Sequence, residues 1–174
     1  MEKLRFKDEN GKNYPEWETI PNKAILSERK EYLTKSDVLP HLSLTKEGVV
    51  DKSERYERDF LVKKDDKKYK VTRIGDLCYN PANLKFGVIS LNETRDGIFS
   101  PIYVTFEIAD NYNKLFAKYF YLRDEYILKV RKFEEGTVYE RKAVKPEDFL
   151  SHFGVVICSM SRNIWNTVPV SGVN

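Results

Sequence analysis

Residues 80–83 read Asn-Pro-Ala-Asn and follow the apolar run Leu77-Cys78-Tyr79. An Asn-Pro pair in such a place raises the chemistry of adenine methylation. In that chemistry the Asn side chain and the Pro carbonyl hold the target amino group, and an aromatic after a second Pro stacks on the flipped base. Ala82 and Asn83 stand where the second Pro and the aromatic would be. A methyltransferase also needs a glycine-rich cofactor loop after a strand. The eight glycines, at 11, 48, 75, 87, 97, 136, 154 and 172, are too widely spaced to make one. The stretch therefore reads as a loop that presents polar and aromatic groups, among them Asn80, Asn83, Lys85 and Phe86.

Nucleophilic catalysis has no better footing. His41 lies beside Pro40 in a strand-like stretch, His152 falls in a predicted terminal helix, and no Gly-x-Ser-x-Gly elbow occurs. Each histidine reads as structural or surface. Carboxylates are numerous, but no pair has a reason to be driven apart in pKa. Cys78 and Cys158, with two scattered histidines, do not form a zinc-ligand pattern. Cys78, inside its apolar run, reads as an inert buried thiol. The expectation is a protein without catalytic residues, metal or cofactor.

The basic and aromatic positions are more suggestive. Lys46 sits at a strand–turn junction. Arg55, Tyr56 and Arg58 lie together, and Lys63, Lys64, Lys67, Lys68 and Lys70 flank a pair of aspartates. Lys85 and Phe86 follow the Asn-Pro loop, and Arg95 occupies a later turn. Arg123, Lys129, Arg131 and Lys132 crowd a helical stretch. Phosphates require such donors, and Asn, Arg and Lys can read base edges in the major groove. The competing reading is a solvated surface, because Glu54, Glu57, Asp65 and Asp66 interleave with the cations and cancel much of their field.

The elements that must position these residues follow from length and pattern. With 174 residues the chain has the size of one domain with a sizeable core. Charged residues at 33% and hydrophobic ones at 41% place it among globular rather than disordered chains. The net charge of +3 permits a polyanionic partner without demanding one. The opening residues are charged, no apolar run reaches transmembrane length, and the expected location is cytoplasmic.

Trp17, Ile20, Ala24 and Ile25 are placed for a strand and a short helical turn docked on a core. Leu42 and Leu44 alternate with polar neighbours as a strand, and Lys46-Glu47-Gly48 turns the chain. Residues 69–80 alternate and then become apolar. Two further strands, 86–92 and 97–108, are joined through Asp96-Gly97, a hairpin-type signal. Pro101 marks an edge, a strand start or a bulge. Residues 111–133 carry a helical period, 136–144 a short strand, and Pro146 with Glu147 and Asp148 opens a last helix. The order predicts an α+β fold, a twisted and mostly antiparallel sheet of short strands with a few packed helices.

Five segments, "YPEWETIPNKAI", "LSLTKEGVV", "YKVTRIGDLCYNPANLKFGVISLN", "DGIFSPIYVTFEI" and "ERKAVKPEDFLSH", together resemble the specificity (S) subunit of Type I restriction–modification systems. The resemblance runs from about residue 14 to residue 153 and is to one target recognition domain. It implies a non-catalytic module that reads one half of a split DNA site. It also implies methylation (M) and restriction (R) subunits as partners, with self-association a further expectation. The residues expected to meet double-stranded DNA are Lys46, Arg55, Tyr56, Lys63, Lys64, Asn80, Asn83, Lys85, Phe86 and Arg95. They would have to gather on one continuous face. The alternative is a protein-interaction module, binding a methyltransferase subunit or another half-subunit through Phe116, Tyr119 and Phe120, residues whose helical spacing equally suits core packing.

The chain departs from the family at its end. Residues 154–174 hold one charged residue, Arg162, and no helical period. In the family an apolar-Pro stretch and a long spacer helix follow. The expectation is a recognition domain over 1–153 and a divergent tail over 154–174, from a truncated or frame-shifted gene or an excised half.

Overall fold

The computed structural model describes residues 10–13, 18–34, 39–52, 68–133, 143–151 and 153–156. Its centre is a four-stranded antiparallel sheet in the order β2-β10-β7-β8, formed by Leu26–Glu28 (β2), Leu77–Tyr79 (β7), Ile89–Leu91 (β8) and Val104–Ile108 (β10). Strand β10 explains why the sequence "VTFEI" lacks clean alternation. It is an inner strand buried on both faces, with only Glu107 exposed. The register pairs Val104 with Tyr79 and Phe106 with Leu77, and then Leu77 with Leu91. Those residues share one face. Thr105, Cys78 and Ser90 are likewise paired and share the other.

Helices back the first face. Helix α1 (Lys114–Tyr121) starts at Asn113, whose side chain accepts from the Phe116 N–H at 2.9 Å. Ala117, Phe120 and Tyr121 recur at the spacing of one helical stripe and are buried. The helical stretch predicted as one piece is two. Arg123 is extended and begins α2 (Asp124–Val130), with Asp124 and Glu125 at its positive end. Helix α3 (Pro146–Ser151) opens on Pro146 as expected. It inserts Phe149, fully buried, against Tyr79 at 5.0 Å and Phe106 at 5.3 Å between ring centroids.

One buried amide ties this layer together. Asn22, in the helical turn after β1 (Glu18–Pro21), donates to the Tyr126 hydroxyl and to the Phe149 carbonyl at 2.8 Å. It accepts from the Tyr121 hydroxyl at 3.0 Å. Burial pushes the Tyr121 and Tyr126 hydroxyl pKa values up, so both stay neutral, Tyr121 as donor to the Asn22 amide and Tyr126 as acceptor from it. Strand β11 (Phe153–Val156) pairs antiparallel with β1. It approaches so closely that a Cβ at Gly154 would lie 2.8 Å from the Asn22 amide oxygen. The division expected between residues 153 and 154 thus falls inside a strand; residues 157–174 lie outside the described residues.

The second face carries a thinner layer of strands. Strands β3 (Tyr32–Leu33), β6 (Tyr69–Thr72) and β9 (Gly97–Phe99) form one sheet in the order β3-β6-β9. Strands β4 (Leu42–Leu44) and β5 (Val49–Asp51) form a hairpin across the turn predicted at Lys46-Glu47-Gly48. Leu42, Leu44, Val49, Phe99 and Cys78 make a second, smaller core. Cys78 is fully buried, and desolvation pushes its thiol pKa up, which suits the inert role expected of it.

Three expectations need correction here. The run 69–80 is not continuous: Gly75, at φ 89°, turns the chain, so β6 and β7 enter different sheets. Asp96-Gly97 does not close a hairpin, because β8 pairs with β7 while β9 pairs with β6. Ala24 is exposed rather than docked on the core. Trp17, His152, Cys158 and most of the strand predicted at 136–144 lie outside the described residues.

Candidate nucleic-acid interface

Two turns, at opposite ends of edge strand β8, and the tip of the β4–β5 hairpin hold the predicted contact residues that the structure describes. The first turn spans Asn80 to Val88. The Asn80 side chain accepts from the Ala82 N–H at 3.1 Å, and the Asn80 carbonyl accepts from the Asn83 N–H at 3.0 Å. Asn80 is 6% exposed, so its amide shapes the turn from within. The Asn83 carbonyl accepts from the Phe86 N–H at 3.0 Å, and Gly87 ends the turn at φ 78°. Leu84 is buried beneath. Phe86 is thereby turned outward, with the half-buried Lys85 beside it. Phe86 is 56% exposed, with the Lys85 ammonium 5.3 Å from its ring centroid.

The second turn, 92–96, is held almost entirely by side chains. Asn92, fully buried, donates to the Arg95 carbonyl at 2.9 Å and accepts from the Thr94 N–H at 3.1 Å. The Thr94 hydroxyl donates to the Val49 carbonyl at 2.6 Å, fastening the turn to β5. Asp96 accepts from the Ile74 N–H at 2.9 Å and from Arg73 at 3.0 Å. Those two donors, the Ile74 amide first, hold the Asp96 carboxyl below its usual range. Arg95 projects from this frame, and its guanidinium meets the Asp51 carboxylate at 3.0 Å.

Lys46 is exposed at the hairpin tip, and the hairpin runs beside β8: a Cβ on Gly48 would lie 3.6 Å from the Ser90 hydroxyl. The structure therefore brings Asn80, Asn83, Lys85 and Phe86 onto one turn. It links Arg95 to the far end of the hairpin that carries Lys46. Strand β8, three residues or about 10 Å of chain, separates the two turns. Arg55, Tyr56, Lys63 and Lys64 lie outside the described residues.

Other cations are committed elsewhere. Arg29 forks onto Asp76 at 2.7 and 2.9 Å, Asp76 being 3% exposed, and Arg73 bridges Glu31 and Asp96. Lys70, 1% exposed, meets Glu28 at 2.9 Å under the Tyr32 ring. These pairs stitch the β2–β3 connection to β6 across the two sheets. Sequence reasoning grouped Lys70 with the surface lysines; its position opposite Tyr32 and Phe99 in the register buries it instead. Of the aromatics weighed for protein contact, Phe120 is buried and Phe116 packs on the core, while Tyr119 is 62% exposed.

The arrangement is an α+β domain: antiparallel sheets, helices on one face of the central sheet, and polar turns displayed at both ends of its edge strand. Its fold is that of Type I restriction–modification S subunits. The S subunit from M. genitalium superposes with a TM-score of 0.53 at 8% identity, over 88% of this chain and 36% of that one. The HsdS subunit from Thermoanaerobacter tengcongensis gives 0.50 at 12% identity, over 86% and 35%. The chain thus spans about a third of the length of these S subunits. No family model matches the sequence, and no curated protein does so significantly. Among the described residues no helix is long and apolar enough to cross a membrane.

Proposed function

We propose that this chain is a non-catalytic DNA-reading domain of a Type I restriction–modification system, recognising one half of a bipartite site. The observation that carries the reading is the fold it shares with two S subunits over 86–88% of its length. The surface supports it. Among the described residues, Lys46 and Lys85 make no ion pair, so their charge is available to phosphates. Phe86 and Asn83, on the same turn as Lys85, offer stacking area and an amide. The M and R subunits are the proposed partners, and the cytoplasm the proposed location.

The test is selection of duplexes from a random pool by the full chain, followed by salt titration. Enrichment of a short motif is expected, with log K falling linearly in log salt. Lys46→Ala and Lys85→Ala should each reduce that slope by about 0.9 and leave the motif unchanged. A chain that enriches no duplex yet binds an M subunit would overturn the DNA reading and leave the protein-interaction alternative.

A further inference from the structure

Arg95 differs from Lys46 and Lys85, which make no ion pair among the described residues, in a way that assigns it a different task. Its backbone is immobilised on three sides. Asn92 holds its carbonyl, Thr94 is fastened to β5, and Asp96 is locked onto Ile74 and Arg73. The side chain is nonetheless 56% exposed. One guanidinium nitrogen is fixed by Asp51, itself only 10% exposed, at 3.0 Å. The remaining N–H groups of the fork have no partner among the described residues. A long, flexible side chain is thus presented in one orientation with its donors outward.

The surroundings decide what those donors suit. Asp51 touches the guanidinium, while the turn's other two carboxylates, Glu93 and Asp96, are paired with Lys118 and Arg73. A phosphate brought here would meet the Asp51 carboxylate and compete with it for the same charge. A base edge carries no net charge, so the carboxylate does not repel it and serves to aim the fork. Guanine offers two adjacent acceptors, O6 and N7, that match a guanidinium bidentately. We infer that Arg95, aimed by Asp51, reads the O6/N7 edge of a guanine in the major groove, and that it does not anchor a phosphate. The inference rests on the DNA-reading function proposed above and adds to it the base class and the positioning residue.

The duplex motif selected by the full-length wild-type chain provides the test. Arg95→Ala and Arg95→Lys should both lose preference at one guanine position and keep the rest of the motif, because lysine retains the charge but not the fork. Replacing that guanine with 7-deazaguanine should weaken wild-type binding about tenfold and leave Arg95→Ala unaffected. Asp51→Asn should blur the same position while overall affinity holds or rises, since a carboxylate facing a polyanion is gone. If Arg95→Ala keeps the whole motif, the inference is overturned, whether its salt slope drops by about one, the mark of a phosphate contact, or does not move. If wild type enriches no motif, the DNA reading itself falls and takes the inference with it. Should Arg95→Ala melt below wild type, Arg95→Lys and the modified base decide the matter.

Discussion

The two faces of the central sheet are built differently. The helix-backed face packs large aromatics, Tyr79, Phe106, Phe120, Tyr121, Tyr126 and Phe149, around one buried amide. The strand-backed face has a small core of Leu42, Leu44, Val49, Cys78 and Phe99, and relies on ion pairs and side-chain-to-backbone hydrogen bonds. Apolar area supplies stability in bulk and without direction. Hydrogen bonds to particular backbone groups contribute less net energy but fix geometry. The contrast teaches that one face anchors the fold while the other sets the orientation of what it displays.

The largest effect should come from the aromatic face. Phe149→Ala removes a fully buried ring stacked on two others and should cost about 3–5 kcal/mol by urea denaturation. If Leu44→Ala on the other face costs more, the division of labour described here is wrong. Next comes Asp76→Ala at the seam between sheets. It strands Arg29, which keeps only the more distant Glu31 and Glu107, and should cost about 2–3 kcal/mol. Equal loss of hydrogen-exchange protection in both layers would show that the seam is not local to the second face.

A smaller effect is expected for Gly97→Ala, whose Cβ would lie 2.5 Å from Leu42 and 2.8 Å from the Pro40 carbonyl. About 1–3 kcal/mol should be lost, with amide protection falling first in the β4–β5 hairpin. Unchanged hairpin protection would mean that the hairpin is not held through Leu42.

The smallest expected change is at Asp96, half-exposed and so discounted for screening. Asp96→Asn should cost about 0.5 kcal/mol at neutral pH. Because the folded pKa lies below the ordinary 3.8, the native state binds fewer protons than the unfolded chain in that window. The contribution is therefore complete above 3.8 and lost as pH falls through the depressed value. The stability curve of Asp96→Asn should be flatter on the acid side. An acid limb identical to wild type would rule Asp96 out as its source.

Much of the fold was legible because its signals are local. Pro146 opens the last helix, and Lys46-Glu47-Gly48 turns one strand into its neighbour. The outward Phe86, with Lys85 beside it, could be anticipated from a polar turn between apolar strands. Asp96-Gly97 misled, since its turn chemistry is real but serves a contact with Ile74 and Arg73. Asn22 drew no notice in the sequence, and its three partners lie 99 to 127 positions away.

By itself the sequence determined the α+β class and where strand-rich chain gives way to helix, because period and turn residues act over a few positions. Tertiary structure alone decided which strands share a sheet, which cations are spent in pairs, and that Asp51 meets Arg95. Those outcomes depend on groups far apart in the chain, whose meeting is set by packing and not by local pattern.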